Sequence, residues 1–430
     1  MSRNSKKRTN SNLSEESVSN PPSSYNKKRK SNSIEQPEPL PIIIINKEIK
    51  SLNDLIELGL SYEVNKRYNV NLKKLNKITP LLIKLRDIIG MESVKKSIIG
   101  QILYFLQDFQ SKNEDMLHTV IQGPPGVGKT MLGHIIGQIY WELDIIQSPE
   151  DVNKPNNIFS SSKDNYCQDD DCQDDDDYLD DDYKDDNYDY NDILNIITRA
   201  TRSSTKIQKK KEFKFKIAKR SDLIGKYLGH TAAQTQKVID SALGGVLFID
   251  EAYSLGNAEG RDSFAKECID TINQNLTEKK NQLLVIIAGY EEALDTCFFS
   301  YNEGLNRRFP FRYTIESYTH QELAQIFIKM VSEINKEPNF EWTTDVSNSK
   351  LDLFFKDNYK LFPNFGGDIE TFLLSVKIQH GIRVFCLPSD VKKKIIYDDL
   401  INALKIYRVN KEIKEKVSDI QKYIHNTMYS

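Results

Sequence analysis

Apolar residues recur along this chain with two alternating periods, and the alternation predicts a parallel sheet covered by helices on both faces. Val94–Phe109 is amphipathic at helical spacing, and Leu117–Gln122 is a short apolar run that ends in a glycine-rich turn. Leu132, Ile135, Ile136, Ile139 and Leu143 then repeat with a helical period. Strand-like runs follow at Phe213–Ala218, Val246–Asp250 and Leu283–Ala288. Between them lie helical patterns over Thr231–Leu243 and through Phe264, Cys268, Ile269, Ile272 and Leu276. After Thr319 the pattern changes: His320–Ile334, Lys350–Tyr359, Asp368–Phe385 and Tyr397–Tyr407 all read as helices. The expected organisation is an α/β unit over 87–318 followed by a small all-helical unit over 319–425.

The flanks are less regular. Ile42–Ile45 reads as a short strand and Leu52–Leu60 as a short helix, which makes 41–86 an N-terminal extension packed on the main body. Residues 1–40 are rich in Ser, Asn, Pro and Lys without apolar periodicity and read as a disordered basic tail. A second such stretch, about 147–211, interrupts the α/β unit between a helix and the next strand. The overall charge hides these features. The 59 Lys and Arg and 62 Asp and Glu of the 430 residues leave a net of −3. Yet Asp164–Tyr190 holds fourteen Asp and one Lys, and Arg199–Arg220 holds ten basic residues against Glu212. Such blocks self-repel and cannot form a core. Since a helix starting at the carboxyl edge of a sheet ends at the opposite edge, the insert should leave the sheet far from any ligand bound at the strand ends. Two readings of it stand: an inert solvated loop, which is favoured, or a basic dock for an acidic partner or nucleic acid with the Asp tract as internal competitor.

Composition removes several classes. With 39% hydrophobic residues the chain has enough apolar material for a core. Its longest aliphatic run, Ile42–Ile45, is far too short to span a membrane, and the polar, basic start lacks a secretory apolar region. Five Cys are few and odd in number, which points to a reducing compartment, so an intracellular, soluble protein is expected. The location is cytoplasmic, or nuclear if the basic clusters Lys6-Lys7-Arg8 and Lys27-Lys28-Arg29-Lys30 act as import signals. Cys167 and Cys172 lack a nearby His for zinc, and the Asp tract lacks the Gly and spaced oxygen ligands of a calcium loop.

The chemistry concentrates in two motifs. Gly123-Pro124-Pro125-Gly126-Val127-Gly128-Lys129-Thr130 fits the phosphate-binding pattern GxxxxGK[ST], with a strand before it and an amphipathic helix after it. Its backbone N–H groups would wrap phosphates at a helix N-terminus, Lys129 would reach the β- and γ-phosphates of ATP, and the Thr130 hydroxyl would bind Mg²⁺. Val246–Ile249 is an apolar strand that ends in Asp250 and Glu251. Asp250 suits the Mg²⁺ shell, and Glu251 suits a general base that polarises the attacking water.

With these motifs the chain resembles the AAA+ ATPases, and among them the CbxX/CfqX type that includes the red-type Rubisco activases. The carrying residues are Ile88–Lys95, the phosphate loop, Asp222–Thr231, Gly244–Leu255, Phe264–Thr271, Val285–Tyr290 and Gly304–Arg312. The resemblance implies a P-loop NTPase fold with a helical lid, ATP hydrolysis, and assembly into a ring, with six subunits expected. It implies that Tyr227, Leu228 and Gly229 form a pore loop gripping a polypeptide client, that Arg308 is a finger reaching the neighbour's γ-phosphate, with Arg307 a weaker candidate, and that Tyr290 stands near the sensor position. One departure is visible. The family carries an Arg at the start of the third lid helix, where this chain has Asn364-Phe-Gly-Gly-Asp-Ile-Glu370; Lys377 and Arg383 are basic residues further along. The implied function is remodelling of a protein client. The alternatives are a nucleic-acid motor or loader, disfavoured because the pore segment offers only Lys226 beside Tyr227, and an assembly scaffold that binds ATP without turnover.

Overall fold

The structure, a computed structural model, describes residues 41–109, 115–148, 212–227, 229–257, 259, 262–334, 342–388 and 391–428. The tail over 1–40, Leu228 and most of the charged insert (149–211) lie outside these residues. The chain opens with β1 (Ile42–Ile43), α1 (Leu52–Leu60), β2 (Arg67–Tyr68) and α2 (Leu72–Arg86), with β1 and β2 paired in parallel. Ser51 starts α1 through a capping box: its hydroxyl accepts from the Asp54 N–H while the Asp54 carboxylate accepts from the Ser51 N–H. The sequence reading leaves α2 unassigned, although Leu72, Leu75, Ile78, Leu82 and Leu85 recur at helical spacing; Pro80 in its interior removes one helical N–H. Burial of Leu72, Leu75, Ile78, Leu81, Leu82 and Leu85 against α1 and the helix after the phosphate loop outweighs that loss. The N-terminal extension is therefore docked on the main body through α2.

The α/β unit follows as α3 (Glu92–Leu106), β3 (Thr119–Gln122), α4 (Lys129–Glu142), β4 (Phe215–Ala218), α5 (Arg220–Leu223), α6 (Thr231–Ser241), β5 (Gly245–Ile249), α7 (Ser263–Glu278), β6 (Leu283–Gly289), α8 (Glu291–Cys297), α9 (Gly304–Arg308) and β7 (Phe311–Thr314). Among the described residues, five of these strands form one parallel sheet in the order β4-β5-β6-β3-β7. Its central strands are buried on both faces, as a continuous apolar run demands. Val246 and Phe248 of β5, with Leu284 and Ile286 of β6, face the core shared with α2, α3 and α4. Leu247, Ile249, Val285 and Ile287 face the core shared with α6 and α7. Each such side chain contributes about 1.5–3 kcal/mol on burial.

Topology places the chemistry. β6 lies between β3 and β5, so its carboxyl end falls between the phosphate loop after β3 and the two carboxylates after β5. The described ends of the charged insert stand at the opposite edge. The Gln147 N–H donates to the Asn281 carbonyl at 2.8 Å just before β6, and the Val246 N–H donates to the Lys214 carbonyl at 2.9 Å just before β4.

The third part comprises α10 (His320–Ser332), β8 (Thr343–Thr344), α11 (Asn348–Asp357), α12 (Phe365–Val384), β9 (Lys394–Ile395) and α13 (Tyr397–Met428). The unit is helical as expected, with one short addition: β8 and β9 pair in parallel, two residues each and too short to show a period. Thr319 and Glu322 form a capping box at α10. α12 and α13 are joined through buried Asp399, which accepts from Arg383 Nε at 2.8 Å and Nη2 at 2.9 Å and meets His380 Nδ1 at 3.1 Å. α13 runs well past Tyr407, where the sequence expectation ends.

One buried histidine ties the sheet together. The His118 Nδ1 accepts from the Val285 N–H at 3.1 Å, so its Nε2–H is the donor to the Leu276 carbonyl at 2.9 Å. Burial pushes its pKa down to about 4, and the nearby Arg308 charge adds to that effect. The unfolded chain takes up this proton near pH 6.5, so between pH 6.5 and 4 it binds more protons than the folded one. His118 therefore contributes stability that is complete above pH 6.5 and is lost as pH falls toward 4, by roughly 3 kcal/mol. Denaturant unfolding at pH 7.5 and 5.0 should show the loss, and His118→Gln should flatten the pH dependence.

Candidate nucleotide site

Residues Gly123–Thr130 turn the end of β3 into the start of α4. Gly126 adopts a left-handed φ of +72°, and a Cβ there would sit 1.8 Å from the Asn364 carbonyl oxygen, so glycine is required for the lid to touch the loop. The Gly366 N–H, at the start of α12, donates to the Gly126 carbonyl at 3.1 Å. Lys129 Nζ donates to the Gly123 and Pro124 carbonyls at 2.9 and 2.8 Å and lies 5.4 Å from the centre of the Tyr290 ring. Burial holds its pKa below the usual lysine value, against the opposing pull of Asp250 and Glu251. Tyr318, at the junction between sheet and lid, donates its phenol to the Val127 carbonyl at 3.0 Å.

These elements enclose a cleft of about 650 Å³. One wall is polar: Gly126, Val127, Gly128, Lys129 and Thr130 face Asp250 and Glu251, more than a hundred residues later. Apolar lining comes from Ile88 and Ile89 before α3, Tyr318, and Ile326 and Met330 of α10, beside Lys329 of the same helix. Such a lining, phosphate-loop groups and carboxylates in one part and apolar side chains in another, suits a phosphorylated ligand with a planar base. Thr130 and Asp250 supply a hydroxyl and a carboxylate to the same cleft. Among the described residues no three or more His, Cys, Asp or Glu gather as a metal cage. That donor set fits Mg²⁺, which takes one or two carboxylates and fills its shell with water and substrate phosphates.

Residues 198–317 match the family described as "ATPase family associated with various cellular activities (AAA)". A cfxQ-like protein of Acanthamoeba polyphaga mimivirus is 38% identical over 340 residues, covering 78% of this chain and 66% of that protein. The CfxQ homolog of Galdieria sulphuraria is 40% identical over 114 residues, 26% of this chain and 37% of its own length. The chain belongs to the AAA+ ATPases of the CbxX/CfqX type. It spans just under two thirds of the mimivirus relative's length. Among solved structures, the FIGL-1 AAA domain in complex with ADP is 18% identical with a TM-score of 0.43, covering 75% of this chain and 83% of that one.

As a CbxX/CfqX-type chain it brings Lys129, Thr130, Asp250, Glu251 and Tyr290 into one cleft. Gly123 and Pro124 stand behind the loop and act through their carbonyls on Lys129. Tyr227 is 68% exposed, away from the cleft, and Leu228 beside it lies outside the described residues. Arg308, at the end of α9, also lies outside the cleft of its own subunit; Nε donates to Thr277 Oγ1 and Nη1 to the Gly304 carbonyl, both at 2.9 Å, whereas Arg307 is exposed. The family's lid Arg has no counterpart in Lys377 or Arg383: neither lines the cleft, and Arg383 is committed to Asp399. Lys329 of α10 does line it, with Nζ donating to the Asp87 carbonyl at 2.7 Å. Lys329 is a cleft residue that no sequence motif signalled, whereas Tyr253 and Glu370 lie in stretches already singled out, Gly244–Leu255 and Asn364–Glu370, without a role assigned to them.

Proposed function

We propose that this chain binds ATP with Mg²⁺ and hydrolyses it within an oligomeric ring, and that the cycle remodels a protein client drawn through the central pore. The observation that carries this reading is the convergence of Lys129, Thr130, Asp250 and Glu251 in one lid-capped cleft. Lys129 would neutralise the β- and γ-phosphates, and the phosphate-loop N–H groups would orient them for in-line attack. Glu251 would take the proton of the attacking water. Mg²⁺ held by Thr130 and Asp250 would supply charge stabilisation to the transferred phosphoryl group. Ile88, Ile89 and Met330 would sandwich the base and exclude water from that end.

Arg308 supports assembly, because it does not line the cleft of its own subunit. α12 supports it as well, because Leu374, Ile378, Ile382 and Phe385 are exposed along one side, apolar surface of the kind that subunit contact covers. Exposed Tyr227 is an aromatic grip suited to an unfolded polypeptide. No helix among the described residues is long and apolar enough to cross a membrane.

The test is Mg²⁺-dependent ATP turnover by the full chain as protein concentration is raised. Turnover per subunit that climbs with concentration, in step with oligomer mass by light scattering, is the expected result. Bound ATP without turnover at any concentration would establish the scaffold alternative. Salt-sensitive stimulation by single-stranded DNA would establish the nucleic-acid motor instead.

A further inference from the structure

The carboxyl end of α2 is capped by two lysines from different parts of the fold. The last carbonyls of a helix have no partner inside it and carry partial negative charge, so an ammonium there is stabilising. Lys95, buried on α3, donates its Nζ to the Arg86 and Ile88 carbonyls at 3.3 and 2.7 Å and pairs with Glu92 at 2.9 Å. Lys329, half-buried on α10, donates to the carbonyl between them, that of Asp87, at 2.7 Å. Three successive carbonyls are thus held by two cations, one from the α/β unit and one from the lid. The same segment carries Ile88 and Ile89 into the cleft, where Lys329 and Met330 line it with them. It then turns sharply, with Gly90 and Met91 both left-handed at φ 69° and 60°. A Cβ at Gly90 would fall 2.5 Å from Glu322 Oε1 and 3.1 Å from Tyr318 Cε1. Glu322 and Lys329 both belong to α10, so that helix meets the segment at its two ends, Gly90 and Asp87.

We propose that Lys329 is the positioning residue for the base-facing part of the cleft: by holding the Asp87 carbonyl it sets Ile88 and Ile89 at the spacing from the lid that grips a nucleotide base. The inference rests on the nucleotide reading and deepens it, from the hold on phosphate to the hold on the base. Lys95 fixes the segment to α3, but α3 does not carry the facing side of the cleft. The Lys329 bond spans that gap. Its donor stands on the helix that supplies Ile326 and Met330, and its acceptor stands one residue before Ile88. Apolar contact is sensitive to such spacing, because a gap of 0.5–1 Å already forfeits a quarter to a half of the attraction. The lid's other bonds to the α/β unit, from Gly366 to Gly126 and from Tyr318 to Val127, lie at the phosphate loop and leave the base side to Lys329.

The experiment compares wild type, Lys329→Met and Lys329→Arg as full chains with Mg²⁺, measuring the affinities of ATP and of inorganic tripolyphosphate by calorimetry. Methionine keeps an unbranched stem and removes the charged donor. Lys329→Met should weaken ATP binding about 10-fold, the scale for losing a hydrogen bond from a charged group. Tripolyphosphate has no base, so its affinity should stay within about twofold, which also shows that the phosphate loop of the variant is folded. In turnover, KM for ATP should rise by a similar factor with kcat within about twofold. Lys329→Arg, which keeps a charged donor, should recover most of the ATP affinity. Equal losses for ATP and tripolyphosphate would mean that Lys329 acts as a charge on the phosphates and would overturn the proposal. Unchanged ATP affinity, or a fall in kcat with KM unchanged, would overturn it as well. The two readings fail separately: ATP bound without turnover refutes hydrolysis alone, whereas normal turnover with Lys329→Met indistinguishable from wild type refutes this inference alone.

Discussion

Arg308→Ala should lower ATP turnover by about 10³–10⁵-fold while each subunit still binds nucleotide. The guanidinium does not line its own cleft: Arg308 ends α9, and the cleft lies among the phosphate loop, β5 and the lid. Its bonds to Thr277 Oγ1 and the Gly304 carbonyl fix its direction, so it is presented from a rigid position to whatever packs against that face. On the proposed role between subunits, its loss can be complemented. Arg308→Ala subunits retain Glu251, and Glu251→Gln subunits retain Arg308. Mixing the two inactive proteins should regain activity wherever an intact Arg308 meets an intact Glu251. A mixture that co-assembles and stays as inactive as its parts would refute action in trans. Arg307→Ala is the control, and its exposed side chain predicts a much smaller change.

Glu251→Gln should cost about 10²–10⁴-fold in turnover, the range a general base supplies, with ATP affinity retained. The substitution is isosteric and leaves Lys129, Thr130 and Asp250 in place, so binding and chemistry separate cleanly. Single-turnover measurement with prebound ATP isolates the chemical step from product release. Equal rates for the two proteins would remove Glu251 from the reaction. A loss of ATP binding would instead mean that the residue's role is to shape the cleft.

Much of the site is legible in the sequence because its chemistry is local. The phosphate loop declares itself in eight consecutive residues, and Asp250-Glu251 end a strand whose unbroken apolar run marks it as central. The sheet follows from the same alternation, with β7 missed because Phe311–Thr314 is short and only Tyr313 in it is buried. What stays hidden is assembled from distance. The apolar lining joins Ile88 to Met330 across more than two hundred residues, and neither has a spacing that suggests a ligand. Lys329 reads as the basic last turn of an amphipathic helix, and only packing turns it toward the cleft. Tyr253 lies inside the stretch Gly244–Leu255, yet nothing in its spacing marks a place in the cleft. α2 is different: its apolar residues Leu72, Leu75, Ile78, Leu82 and Leu85 do carry a helical period, and Pro80 in its interior does not break the helix once they are buried.

The seam between Gly126 and Gly366 makes the lid a transmission. α13 is welded to α12 along its first half, by Arg383 and His380 at Asp399 and, nearer the cleft, by stacking of Tyr407 on Phe362 and by Lys411 Nζ, which donates to the Leu361 carbonyl and pairs with Asp368 at 3.8 Å. From Lys411 the helix continues to Met428, about 26 Å at 1.5 Å per residue. A swing of about 10° about the Gly126 contact would carry that tip about 4–5 Å. A rigid-body tilt of the lid at the phosphate loop would thus be read out far outside the nucleotide cleft.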